Sequence, residues 1–120
     1  VMKIRIKGDS IRLRLSQSEV AEIGAGNKVF ENTHFSDSVL GYVLKSHTDV
    51  TPVKAFFQDN QIQISINHTV ANTWANSDQV GVTSSEEVKP SVLIEKDFQC
   101  LTVRPGEDES DMFQNPNTVC

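Results

Sequence analysis

Five cations crowd the start of the chain at alternate positions. Lys3, Arg5 and Lys7 precede Gly8-Asp9, and Arg12 and Arg14 follow it; Asp9 is the one acid before Ser16. A strand sends alternate side chains to one face, and Gly-Asp suits a two-residue hairpin turn. Pairing across that turn sets Lys7 against Ser10, Arg5 against Arg12 and Lys3 against Arg14. Like charges directly opposite destabilise a strand pair by roughly 0.2–1 kcal/mol each, so this face calls for anions. The plainer source is the chain itself, through Glu31, Glu95, Asp97 or the acidic C-terminal end. The functional source is an external anion: a phosphate ester, a nucleotide or an acidic partner protein. Arginine suits either, because its planar fork binds oxyanions through two parallel hydrogen bonds.

Glu95-Lys96-Asp97 ends a strand-like run, and period two puts both carboxylates on one face. Such a pair can neutralise a basic face, or it can hold a divalent metal or act in acid–base chemistry. Other site chemistry is missing. His34, His47 and His68 lack metal-ligand spacing. There is no glycine-rich phosphate loop, GxSxG elbow or CxxC. Cys100 has no neighbouring His to activate it, and Cys120 is the last residue, so two free thiols are expected. No cofactor is called for. Extended nucleic-acid binding is not expected either, since the net charge is −5 and no aromatic residue alternates with the basic ones.

The elements that must position these residues read as a duplication. Met2 to Glu31 lies over Val53 to Val82 without a gap, and Ser38-Val39-Leu40 over Ser91-Val92-Leu93. Each half reads strand, turn, strand, capped short helix, strand, strand. The turns are Gly8-Asp9 and Asp59-Asn60, and the helix N-caps are Ser16 and Asn67. Ser16-Gln17-Ser18-Glu19 has the form of a capping box. Expected core positions are Met2, Ile4, Ile6, Ile11, Leu13 and Leu15 in the first hairpin, and Ala55, Phe57, Ile62, Ile64 and Ile66 in the second. Val20, Ile23, Val70, Ala71 and Trp74 complete them from the helices.

The fold class expected is α+β. Two strand-strand-helix-strand-strand repeats (about 2–46 and 53–98) form a mainly antiparallel sheet with two short helices. If the sheet curls into a barrel, the basic face lies inside a groove. Residues 1–101 make one domain, and 102–120 an acidic, irregular tail. No apolar run approaches the roughly 20 residues of a membrane span. The N-terminus has no apolar signal core, which points to the cytoplasm and to no membrane partner.

Met2 to Leu15, Ile94-Glu95-Lys96-Asp97-Phe98-Gln99-Cys100-Leu101 and Arg104-Pro105-Gly106-Glu107-Asp108-Glu109 together resemble a family of small bacterial proteins that carry a domain of unknown function. The resemblance covers nearly the whole chain. That family's tail ends in a Phe-Pro-Asn-Pro pattern, where this chain reads Phe113-Gln114-Asn115-Pro116. The resemblance implies a bacterial cytoplasmic protein and no particular site. A second, weaker likeness is to tunnel-barrel phosphohydrolases of triphosphates. Those carry glutamates on the first strand, where this chain has Lys3, Arg5 and Lys7.

Two functions follow as expectations. One is a non-enzymatic binding or assembly module whose basic hairpin face takes an acidic protein segment or the chain's own tail, in one molecule or across a homodimer. The other is an enzyme or sensor for a phosphorylated small molecule, with Arg5, Arg12 and Arg14 as clamps and Glu95 or Asp97 as base or metal ligand.

Overall fold

The computed structural model of the chain describes residues 1–98; the expected tail, Cys100 and Cys120 lie outside the described residues. The element order is β1 (Lys3–Lys7), β2 (Ser10–Leu15), α1 (Gln17–Gly24), β3 (Val29–His34), β4 (Val39–His47), β5 (Val53–Gln58), β6 (Gln61–Asn67), α2 (His68–Ala75), β7 (Gly81–Thr83) and β8 (Ser91–Lys96). Local chemistry sets most of these boundaries. Gly8 alone is left-handed in the first turn (φ +54), whereas both Asp59 and Asn60 are in the second (φ 53 and 61). Gly-X and Asp-Asn suit those two hairpin geometries respectively. Glu19 reaches back to accept the Ser16 N–H at 2.9 Å, which satisfies one orphan donor at the start of α1. Asn67 Oδ1 does the equivalent at α2, accepting from the Val70 N–H at 3.1 Å.

The strands form two separate four-stranded sheets rather than one closed barrel: β1-β2-β8-β7 and β3-β4-β6-β5. Four hairpin pairings are antiparallel, and β2–β8 and β4–β6 are parallel. The halves are therefore interleaved. The opening hairpin of the first half joins the closing hairpin of the second, and the reverse holds in the other sheet. Each helix touches strands of both sheets. A single core results, with Leu13, Leu15 and Ile94 from one sheet, Leu44, Ile64 and Ile66 from the other, and Ile23, Ala71 and Trp74 between them. One bond within each half fixes its parts to one another: Tyr42 Oη on β4 donates to the Met2 carbonyl just before β1 (2.7 Å), and Trp74 Nε1 on α2 to the Val80 carbonyl just before β7 (3.1 Å).

The equivalence of the halves is sharpest at the helix crossing. Gly24 and Ala75 occupy matching positions, and they meet each other: a Cβ built on Gly24 would come 2.6 Å from the Ala75 Cβ. Two matching residues in mutual contact put the local two-fold axis between the helices. Beyond the helices the ungapped alignment fails. Val82 pairs with Ile94 as Val29 pairs with Leu44, so Val82, not Val80, is the counterpart of Val29. Likewise Leu13 neighbours Ile94 as Ile64 neighbours Leu44, which moves the match of the closing strands by three residues, from Ser38 to Gly41 against Ser91. Hydrophobic strands without landmarks slide against one another freely in a sequence comparison, and only the pairing register fixes them.

Two expected core residues are surface residues. Ile6 is 56% exposed and Phe57 65%. Both lie at the turn ends of their hairpins, past the reach of the helices. Val70 is half-buried at the rim, while Ala71 and Trp74 are fully enclosed.

Candidate functional site

The first hairpin pairs as its charges demand: Lys3 with Arg14, Arg5 with Arg12, Lys7 with Ser10. Its apolar side, Ile11, Leu13 and Leu15, closes onto the core, which leaves the five cations on the outer face of an open sheet, not inside a curled one. The parallel strand β8 then brings in the acids. Arg14 stands beside Glu95 in register, and Arg14 Nε donates to Glu95 Oε1 at 2.8 Å. Arg12 Nε shares the same oxygen at 3.6 Å. Beyond the strand end, Asp97 takes Lys3 Nζ at 2.9 Å. Period two thus places Glu95 and Asp97 with the basic face, and Lys96 turns away to donate to the Ser77 carbonyl at 2.8 Å. Glu31 plays no part: it faces Tyr42 in the other sheet, where it and Glu19 add to burial in raising the Tyr42 hydroxyl's pKa.

The face is unevenly neutralised. Two carboxylates hold Lys3, Arg12 and Arg14, all at the end towards β8's C-terminus. Arg5 and Lys7 form no ion pair among the described residues. Two shallow clefts meet at Arg5 and Arg12. One, of about 210 Å³, is lined by Lys3, Ile4, Arg5, Arg12 and Arg14. The other, of about 350 Å³, runs from Arg5, Lys7 and Arg12 to the hydroxyls of Thr83, Ser84 and Ser85 and the Glu86 carboxylate. Ser84 Oγ is engaged, accepting the Val92 N–H at 2.9 Å. Neither cleft is lined by Glu95 or Asp97. An enzyme pairing Arg5 with a Glu95 base would need them to share a cavity. Among the described residues no cluster of three metal-ligating side chains occurs. A larger cleft of about 570 Å³ lies between the helices and the end of β8, lined mostly by apolar groups such as Leu15, Val20 and Ala75. It has none of the basic residues of the hairpin; its polar side chains are Gln17, Asn76, Lys96 and Asp97, and Asp97 is already paired with Lys3.

Thr83 to Glu86 escaped the sequence reading because the segment looks like an ordinary polar connection. Only the register of β7 on β8, and of β8 on β2, brings it to the basic turn. A second cluster was also hidden. Lys54 pairs with Asp49, and His47 Nδ1 accepts the Asp49 N–H at 3.0 Å. Burial, then Lys54, pushes the His47 pKa down, and the Lys54 hydrogen bond and charge hold Asp49 below its usual range. With Nδ1 accepting, the neutral ring carries its proton on Nε2, and that atom is buried without a partner among the described residues.

Residues 2–117 match the model of a family described as a family of unknown function (DUF7009), and the chain belongs to that family. No curated protein and no solved structure matches it. No helix among the described residues is long and apolar enough to cross a membrane.

Proposed function

We propose that this member of the DUF7009 family is a non-enzymatic binding module, and that the outer face of the β1–β2 hairpin holds an acidic segment of a partner protein. The observation that carries the reading is the imbalance on that face. Among the described residues five cations pair with two carboxylates, and Arg5 and Lys7 form an ion pair with neither. Glu95 is engaged by two guanidiniums, so it serves as a spacer that holds Arg12 and Arg14 apart and not as a general base. An extended acidic segment along β1 would meet Lys3, Arg5 and Lys7 at every second residue. The test is titration with a hexaglutamate peptide followed by backbone amide NMR shifts. Exposed ion pairs are worth about 0.5 kcal/mol each, so Arg5→Ala with Lys7→Ala should weaken binding roughly fivefold. It should also lower the salt dependence. Binding that is unchanged in the double variant, or shifts that map elsewhere, would refute the reading.

One observation favours a second reading, a phosphorylated small molecule. The cleft of about 350 Å³ combines Arg5, Lys7 and Arg12 with the hydroxyls of Thr83 and Ser85, a donor set that fits a tetrahedral oxyanion. Its size is at the low end for ligand pockets. O-phosphoserine should then raise the melting temperature, an effect lost in Arg5→Ala and kept in Arg14→Ala. Loss of the effect in both would move the ligand to the Glu95 end.

A further inference from the structure

Among the described residues the two sheets end in β1, β7, β3 and β5, and of the matching pair β1 and β5 only one is guarded. β1 and β5 are each the outermost strand of a sheet, and they occupy matching places in the two halves. Free backbone donors and acceptors on a sheet edge invite another strand, and charged side chains are the usual deterrent. β1 carries that deterrent on its outward-facing side: Lys3, Arg5 and Lys7. At the matching positions β5 carries Lys54, Phe56 and Gln58, and in place of Ile6 it has Phe57. Phe56 is 42% exposed and Phe57 65%.

Self-pairing separates the two edges. Two copies joined edge to edge about a two-fold axis normal to the sheet keep outer face beside outer face. For β1, such a pairing about Arg5 sets Arg5 on Arg5 and Lys3 on Lys7, cation on cation throughout. For β5, pairing about Phe56 sets Phe56 on Phe56 and Ala55 on Phe57. Lys54 then faces the neutral amide of Gln58, and its charge is already matched by Asp49. Aromatic cross-strand pairs favour a sheet, and like charges oppose it.

We propose that two copies of this chain associate through β5, antiparallel and centred on Phe56, to make one continuous eight-stranded sheet. The occupant of this edge is a second copy because β5 meeting itself sets aromatic on aromatic and brings no unpaired like charges together. The basic hairpin lies on the other sheet and stays open in the pair.

Sedimentation velocity across a concentration series tests this together with hydrogen exchange on the wild-type chain. The expected result is a species of twice the chain mass, with β5 amides gaining protection as concentration rises and β1 amides not. Phe56→Lys with Gln58→Lys copies the cationic pattern of β1 onto an exposed strand, and should return the protein to a monomer with an unchanged circular dichroism spectrum. A wild-type chain that remains monomeric at about 0.5 mM would overturn the proposal, as would a dimer that survives the double variant. Should the variant misfold, the exchange data decide alone: protection that rises on β1, β3 or β7 and not on β5 refutes the pairing.

Discussion

Glu95→Gln isolates what the basic face demands of the fold. The substitution keeps the shape of the side chain and removes the charge that two guanidiniums share, Arg14 Nε at 2.8 Å and Arg12 Nε at 3.6 Å. The three side chains keep between 18% and 34% of their exposure. They therefore sit between the exposed limit, where a pair is worth up to about 1 kcal/mol, and the buried limit, where breaking one costs about 3–5 kcal/mol. A loss of about 1–2 kcal/mol follows from the pair itself. The facing pairs Arg5–Arg12 and Lys3–Arg14 lose their nearest shield and add a few tenths of a kcal/mol each. The total is about 2 kcal/mol, a fall of about 1 M or more in the urea midpoint for a domain of this size. The repulsive part should fade in 1 M salt, where screening acts over about 3 Å. Binding should respond with the opposite sign, because the variant frees two more cations and should hold hexaglutamate more tightly. A midpoint shift below about 0.3 M would refute the reasoning, and so would a coupling near zero in the cycle with Arg14→Gln.

Other predictions concern the frame. Gly24→Ala should destabilise by about 2 kcal/mol in thermal or urea unfolding, since its Cβ would come 2.6 Å from the Ala75 Cβ; adding Ala75→Gly should restore most of the loss if the crossing is two-fold. Trp74→Ala should cost about 3–5 kcal/mol by the same measure, from the cavity and from the hydrogen bond to the Val80 carbonyl. Stability should also depend on pH through His47, whose folded pKa lies below its ordinary value. The unfolded state then binds the proton more readily, so stability is full above about 6.5 and declines as the pH falls below it. His47→Gln should flatten that decline, as read from melting temperatures between about pH 5 and 7.5; an identical slope in the variant would contradict it.

Hairpins, caps and the charged face were legible in the sequence because each is coded by neighbours. Gly8-Asp9 and Asp59-Asn60 set the turns, Glu19 and Asn67 the helix starts, and strict alternation put Lys3, Arg5, Lys7, Arg12 and Arg14 on one side. Parity also sent Glu95 and Asp97 to the same side. What local signals do not carry is which distant strand lies beside which. The parallel pairings β2–β8 and β4–β6 join opposite halves of the chain, and no turn joins those strands. Hence the two-sheet division, the true match of Val29 with Val82, and the approach of Thr83 to Glu86 towards Lys7 were all out of reach. Ile6 and Phe57 were misplaced for a related reason: alternation says which face a side chain takes, not whether a helix extends far enough to cover it.

The interleaving of the halves has a consequence for how the chain can be cut. Neither half contains a complete sheet, so neither has a fold of its own to adopt. The five residues between β4 and β5 act as a tether whose task is to raise the local concentration of one half around the other. Val50, 96% exposed, lies in that tether. Severed there, the two fragments should be unstructured apart and should reassemble on mixing, with an affinity set by the whole shared core. Assembly from separated ends of the chain also carries a large loop-closure penalty before any long-range contact forms. Folding should therefore be slow for a domain of this size and should proceed without a stable half-folded species.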